Sequence, residues 1–356
     1  MLNQLNMNQN RVRVSVKDKM QLFGNLSTML KAGIPILESV EALLEETKGN
    51  TQQVLETIKE DLQAGKIINE SLAKYPESFD KVTVNLIKAA EEAGTLEVAL
   101  RDLQESLKKE MEFSDKVKSS LMYPAFVLVV FIGMMIVMMV MVIPKMSQVF
   151  RRMKMDLPLA TRIMFAASDG LMNHYWIVIG VIATLLVGIG LFYHFNRRLV
   201  ANIIFSLPVL SSLMRDIDLT KFTRSISLLL GSGIPIVKAL ELTEDTIIKK
   251  DLRELLVNAR ERIKAGDKFT TGLRTEKQLI SGVLIKLIEV GERTGTLDSS
   301  MKDVATMMDY EVTKRLQKAT SLLEPLMLVF VGLSVGGVMI TIIGPIYGLI
   351  SSVSPS

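Results

Sequence analysis

The sequence contains no cysteine. That excludes a disulfide scaffold, a thiolate metal site and a cysteine nucleophile. Histidine is nearly as scarce: His174 and His194 are the only two, too few to close a zinc site without other ligands. They flank an apolar run and read as interfacial polar groups rather than ligands. No charge of one sign dominates. Lys and Arg total 42, Asp and Glu 38, for a net +4, and the two signs are interspersed, which argues against a nucleic-acid partner. A phosphate-binding loop is missing as well. The one Gly-Lys pair, Gly65-Lys66, has Glu60 where the loop needs its first glycine. No G-x-S-x-G nucleophile turn occurs. Residues 1–10 are rich in Asn and Gln, carry no apolar signal-peptide core, and are expected to be frayed.

What is present is aliphatic. Hydrophobic residues make up 49% of the 356 positions and the mean hydropathy is positive, so disorder is excluded. The length fits two or three domains of about 100–200 residues. Three runs carry no charge: Ala125–Ile143 (19 residues), Trp176–Phe192 (17) and Leu326–Ile350 (25). A bilayer-spanning helix needs about 20 apolar residues, so each is read as a transmembrane helix. A buried core helix is a reasonable alternative only for the second. Elsewhere Leu22, Leu26, Met29 and Leu30 recur at helical spacing, as do Val82, Leu86 and Ala89, then Leu96, Ala99, Leu100, Leu103 and Leu107. Hairpin patterns are absent. The expected class is an all-α membrane protein.

The chain also repeats itself. Gly33-Ile34-Pro35 stands over Gly233-Ile234-Pro235 at an offset of 200. Ala64-Gly65 stands over Ala265-Gly266, and Ala90-Glu-Glu-Ala-Gly-Thr-Leu96 over Gly291-Glu-Arg-Thr-Gly-Thr-Leu297, at an offset of 201. Pro124 matches Pro325, and Pro144 matches Pro345. Gly33, Gly233, Gly94 and Gly295 fit left-handed positions just past a helix end. Pro35 and Pro235 fit the start of the next helix. Thr95 and Thr296 fit N-caps, with Glu97 and Asp298 in the first turn. Each unit reads as a six-helix bundle whose last helix runs on into the membrane, with Pro124 and Pro325 kinking or breaking that junction.

These readings give a domain plan: tail 1–19, first helical domain 20–124, first span 125–143, short outer loop 144–175, second span 176–195, second helical domain 196–325, third span 326–350, outer tail 351–356. Two equivalent domains enter the membrane from one side, so the second span must return the chain. Arg197, Arg198 and Arg215 follow the second span, against Arg162 before it. Lys314, Arg315 and Lys318 precede the third, with no basic residue in 351–356. Both place the helical domains in the cytoplasm and the C-terminus outside. The first span is balanced: Lys108, Lys109, Lys116 and Lys118 precede it, and Lys145, Arg151, Arg152 and Lys154 follow it.

The three runs hold no Asp, Glu, Lys, Arg or His. Ion-coupled carriers place ionisable groups in the membrane, so a transporter or channel is the weaker alternative, and a membrane enzyme lacks nucleophile and base. Gly332-x-x-x-Gly336 and Gly344-x-x-x-Gly348 permit close helix packing. The segment 149–158 is basic and amphipathic, and reads equally as an interfacial stretch or a polar loop. Met134, Met135, Met138, Met139 and Met141 read as bulk hydrophobe. Glu91, Glu92, Glu292 and Arg293 lie at helix ends. They are read as a solvated face or as a partner-docking patch used once per repeat. A divalent cation near Glu91 or Glu292 is a third option, one that needs six or more oxygens. No cofactor is expected.

Two domains, each with a GIP turn, then a GE-x-x-G-x-L turn, then a proline and a span, resemble the inner-membrane platform proteins of type II secretion and type IV pilus machines. The resemblance covers Met20 to Tyr347 and rests also on Tyr123-Pro124, Glu324-Pro325 and the stretch from Pro144 to Thr161. The first unit departs from it, with Ala90 and Ala93 in the second turn. The resemblance implies a non-enzymatic protein of the bacterial inner membrane, self-associating, that couples a cytoplasmic hexameric ATPase to pilins or pseudopilins entering a growing fibre alongside other inner-membrane subunits. It does not distinguish secretion from pilus biogenesis.

Overall fold

A computed structural model describes residues 12–152, 159–173, 208–274 and 279–353. The second span, both histidines and residues 1–11 lie outside the described residues, as do the outermost tail residues 354–356. Every described element is helical, and no strand occurs among the described residues.

The described residues of Met1–Lys116 and Ser211–Arg315 form one compact unit, and those of Val117–Leu210 and Leu316–Ser356 a second. In the first unit the chain runs through α1 (Val16–Lys31), α2 (Ile36–Glu46), α3 (Asn50–Gln63), α4 (Ile68–Ala73), α5 (Lys81–Ala93) and the start of α6 (Leu96–Val137). In the second unit lie α7 (Ile143–Arg152) and α8 (Leu159–Asn173). The first unit resumes with α9 (Pro208–Gly231), α10 (Ile236–Glu244), α11 (Lys250–Lys264), α12 (Phe269–Leu273), α13 (Gly282–Thr294) and the start of α14 (Leu297–Val353).

The helix ends follow from the glycines. Gly94 (φ 69°) closes α5 and Gly295 (φ 75°) closes α13, each in the left-handed region that a side chain with a Cβ enters only at a cost. Behind each, the next N–H reaches back over the turn: Thr95 N to Ala90 O at 2.8 Å, and Thr296 N to Gly291 O at 2.9 Å. This satisfies a carbonyl the helix leaves open. Helices α6 and α14 begin directly after these two threonines. Pro35 and Pro235 stand as N-caps of α2 and α10, one position earlier than the first turn. A proline fits there because that N–H would lack a helical partner anyway.

The first unit is held by one continuous cluster of buried side chains running from Leu22 and Phe23 through Val54, Ile58 and Leu86 to Phe222, Leu256 and Met301. At about 25 cal/mol per Å² of apolar surface removed from water, this cluster is the main source of the unit's stability. Among the described residues the packed chain reaches back to Val12, ahead of Met20. Val12 and Val14 are buried, and Ser78 anchors them by accepting the Val14 N–H (2.9 Å) and donating to Val12 O (2.7 Å). Part of the expected tail is thus core, because two valines at alternate positions cover the end of the bundle.

In the second unit the apolar part of α6 passes through a single π-helical turn, Met138–Val142, into α7. Pro124 lies inside α6, and Pro325 inside α14. Of the two expectations, kink or break, the break does not occur. One missing N–H removes one bond from a 42-residue helix and leaves its neighbours in place. The described part of residues 144–175 is helical, not an open loop. Ile143, Phe150, Met164 and Phe165 pack together with Val338 and Ile342, and the Thr161 hydroxyl donates to Thr341 O at 3.0 Å. Phe131 and Phe330 meet edge to face, centroids 5.6 Å apart. The stretches Leu96–Phe150 and Leu297–Ile343 are each long and apolar enough to cross a membrane. Their apolar side chains face outward, Met122, Phe126, Val129, Leu333 and Ile340 among them. A Cβ on Gly332 or Gly336 would meet nothing within 4 Å, so that face has no close neighbour among the described residues.

Candidate functional site: the paired glutamate turns

The turns that close α5 and α13 carry Glu91, Glu92, Glu292 and Arg293. Asp80 caps the start of α5 by accepting the Thr83 N–H at 2.8 Å, and Ser281 does the same for α13 with Leu284 at 3.4 Å. Both helices therefore have fixed ends, and the acids in their last turns have fixed directions.

Glu91 points inward. Its Oε1 accepts the N–H of Ile68 (2.6 Å) and its Oε2 that of Asn69 (3.1 Å). These are the opening residues of α4, whose first N–H groups have no helical partner. Glu292 repeats the arrangement on α12. Its Oε1 accepts from Phe269 N (2.5 Å), and its Oε2 from Thr270 N (3.2 Å) and Thr270 Oγ1 (2.6 Å). A carboxylate opposite a helix N-terminus is favoured twice, by hydrogen bonds and by the helix dipole. Burial pushes the Glu91 carboxyl above its ordinary value, and the bonds from Asn69 and Ile68 pull it back only in part.

This changes the reading of the turn. Glu91 and Glu292, both half-buried, join the last turn of one helix to the first turn of a short one. Glu92 and Arg293 are the exposed members. A cation at either carboxylate would face the N–H hydrogens that already occupy both oxygens, and among the described residues no three Asp, Glu or His side chains gather as a metal site would require.

Sequence reasoning missed a second cluster. Asp61, buried on α3, receives Lys66 Nζ (2.8 Å), Ser71 Oγ (2.8 Å) and Lys74 Nζ (2.5 Å). Burial pushes its carboxyl up, but the bonds from Lys66, Lys74 and Ser71 together outweigh burial and hold it at about 2. At the repeat-equivalent positions the charges are exchanged: Arg262 faces Asp267 at 3.9 Å. Asp218 was missed too. Fully buried, it caps α11 by accepting the N–H of Ile248 (3.1 Å) and Lys249 (2.7 Å), while burial pushes its carboxyl up against those bonds. A single acid in an amphipathic helix gives no periodic signal, so neither stood out.

A cleft of about 350 Å³ lies between the first part of α6, α9 and the first part of α14, lined by Asp102, Lys109, Arg224, Asp298 and Lys302 among others. Arg224 is held there in a two-pronged pair with Asp309, Nη2 to the two oxygens at 2.6 and 2.7 Å. The described arrangement offers surfaces and rigid helices.

The model of the type II secretion system (T2SS) protein F matches this chain twice, at residues 22–144 and again at 222–345. The type IV pilus assembly protein PilC of Thermus thermophilus is 29% identical over 348 residues, covering 95% of this chain and 84% of its own length. PilC of Myxococcus xanthus is 27% identical over 343 residues, covering 96% and 82%. The type II secretion system protein F of Aeromonas hydrophila is 26% identical over 332 residues, covering 91% and 84%. With two stretches of the same model accounting for most of its length, each opening on amphipathic helices and ending in an apolar one, the chain belongs to the type II secretion system protein F family.

Proposed function

We propose that this protein is an assembly platform of the bacterial inner membrane, built as two repeated six-helix bundles in the cytoplasm and three transmembrane helices, with its C-terminus outside. In this reading it couples a cytoplasmic hexameric ATPase to pilins or pseudopilins entering a fibre, and it works as a self-associated copy among other inner-membrane subunits. It performs no chemistry of its own, consistent with a sequence that has no phosphate loop.

The observation that carries the proposal is the double match, each matched stretch running from short helices into one long apolar helix. Such a helix presents aliphatic side chains of the kind that pack against another apolar helix in lipid, and its spans contain no ionisable group that would serve an ion pathway. In this reading the exposed Glu92 and Arg293 supply the charges against which a cytoplasmic partner docks. The test is co-purification of the assembly ATPase with the detergent-solubilised chain. Arg293→Glu and Glu92→Lys leave the amount of protein normal and reduce the ATPase recovered, with Arg293→Glu also lowering fibre assembly or secretion. Full recovery and full assembly with both variants would remove the turns from the docking surface. ATP turnover by the isolated chain would overturn the non-enzymatic reading.

A further inference from the structure

One apolar stripe is buried in the first half of the chain and bare in the second. On α5, Val82 (5% exposed) and Leu86 (1%) are buried, and Ala89 is half-buried. At the offset of 201 the matching residues of α13 are Val283, Leu287 and Val290, exposed by 57%, 38% and 50%. They fall at i, i+4 and i+7, one face of the helix. Outside the apolar parts of α6 and α14, no other described helix exposes three large aliphatic side chains on one face.

The first stripe is covered from within the chain. Helix α10 runs beside α5, and Lys81 Nζ on α5 donates to Asp245 just past α10 at 2.7 Å. Leu242 on α10 is buried. This contact is heterologous: α5 of the first half meets α10 of the second. It therefore leaves two equivalent faces without a mate, α13 of the second half and α2 of the first. On α2 the residue equivalent to Leu242 is Ala42, exposed, and the one equivalent to Asp245 is Glu45, also exposed.

The two unmated faces are complementary in charge. Helix α2 carries Glu38, Glu41, Glu45 and Glu46 and no basic residue. Glu41 is paired with Lys59, and the other three form no ion pair with a described residue. On α13, Glu289 is paired with Arg274 and Glu292 is held by α12. That leaves Lys286 and Arg293 as the exposed charges, both positive.

We propose that α13 of one copy receives α2 of a second copy along the Val283, Leu287 and Val290 stripe, as α10 lies beside α5 within one chain, with Gly282 in the place of Lys81 and Lys286, one turn on, as the cation facing α2. The small Ala42 lets the two helices approach where Leu287 protrudes, and Lys286 lies toward the acidic edge of α2. The contact is head to tail, so it builds a ring or a row of copies rather than a closed two-fold pair. It rests on the reading that the platform self-associates and specifies the surface.

The absence of native cysteine makes the test direct. Ala42→Cys and Leu287→Cys, both at exposed positions, are placed on separately tagged full-length chains, expressed together and oxidised in isolated membranes. A disulfide requires Cα atoms within about 7 Å. The expected result is a band at twice the monomer mass carrying both tags, absent when either variant is expressed alone. Lys286→Glu on the Leu287→Cys chain weakens that band, and Glu45→Lys on the Ala42→Cys chain restores it. Lys81→Cys with Asp245→Cys in one chain is the positive control for the internal contact. A doubled band from Leu287→Cys alone would mean that α13 meets α13, and would overturn the head-to-tail arrangement. A control that cross-links while the mixed pair does not overturns the interface. The native mass of the solubilised protein then separates the cases: an oligomer leaves self-association standing, and a monomer removes that too. These variants leave Glu92 and Arg293 unchanged, so ATPase docking is read separately.

Discussion

The Glu292 carboxylate accepts the backbone N–H of Phe269 at 2.5 Å, tying the last turn of α13 to the first of α12. Glu91 makes the same connection to Ile68 at 2.6 Å, 201 positions earlier. Reversing the charge at either site removes an acceptor and sets a cation against a helix N-terminus. Glu292→Lys is expected to destabilise the protein by about 2–3 kcal/mol, from the lost cap and the N–H groups left without a partner. Glu91→Lys loses two bonds rather than three and is expected to cost somewhat less. Thermal unfolding of the purified protein in detergent measures both. A Glu292→Lys protein as stable as wild type would show that the carboxylate is not a cap.

Asp61 gives a pH window. Its folded pKa of about 2 lies below the ordinary 3.8. The ionised carboxylate therefore stabilises the fold at every pH above 3.8, and that contribution is lost as pH falls through about 2. The depression is worth about 2 kcal/mol for this buried side chain. Asp61→Asn is expected to lower stability by about that much at pH 7, and the gap between the two proteins should narrow steadily below pH 3.8. Denaturant unfolding at a series of pH values reads it directly; a gap independent of pH would contradict the assignment.

Gly291 and Ser300 fit each other closely. A Cβ on Gly291 would lie 2.2 Å from Ser300 Oγ and 2.5 Å from its Cβ. In the first half the equivalent residues are Ala90 and Ala99, both buried. Gly291→Ala is expected to destabilise by about 1–3 kcal/mol through overpacking. Adding Ser300→Ala should recover part of the loss, by removing the hydroxyl. Independent, additive effects in this double-mutant cycle would rule out a direct contact.

The orientation of the chain is open to a labelling experiment. With no native thiol, cysteines placed at Lys48 and Lys250 should resist a membrane-impermeant maleimide in intact cells, and one at Ser354 should react. Reaction at either of the first two positions would reverse the proposed topology.

Periodicity located the helices well, because amphipathic spacing and left-handed glycines are local signals. The Gly94 and Gly295 turns are where the glycines stand in the sequence, and Val82, Leu86 and Ala89 do share a face. What the sequence concealed were contacts between residues far apart along the chain. Glu91 reaches Ile68 across 23 positions, with nothing in the spacing to mark the partnership, so an inward cap looked like surface charge. The stretch 144–175 hid its structure for a related reason. Phe150 and Phe165 are too far apart to register as one helix, yet they form the centre of a small core with Met164 and Ile143. Pro124 misled in the opposite direction: its local preference is a helix end, and the long helix around it prevails.

The helices run through their prolines, so the helical path is roughly 60 Å for α6 and 85 Å for α14 at about 1.5 Å per residue. Each lacks one strut at the same repeat position. Pro124 cannot donate to the carbonyl of Ser120, nor Pro325 to that of Ser321, and Ser120, Pro124 and Ser321 line a single cleft with Tyr123 and Glu324. Bending stiffness is lowest where the ladder has a missing rung. The bonding ladder of each helix is therefore interrupted at the same repeat position, close to where its charged part gives way to its apolar part.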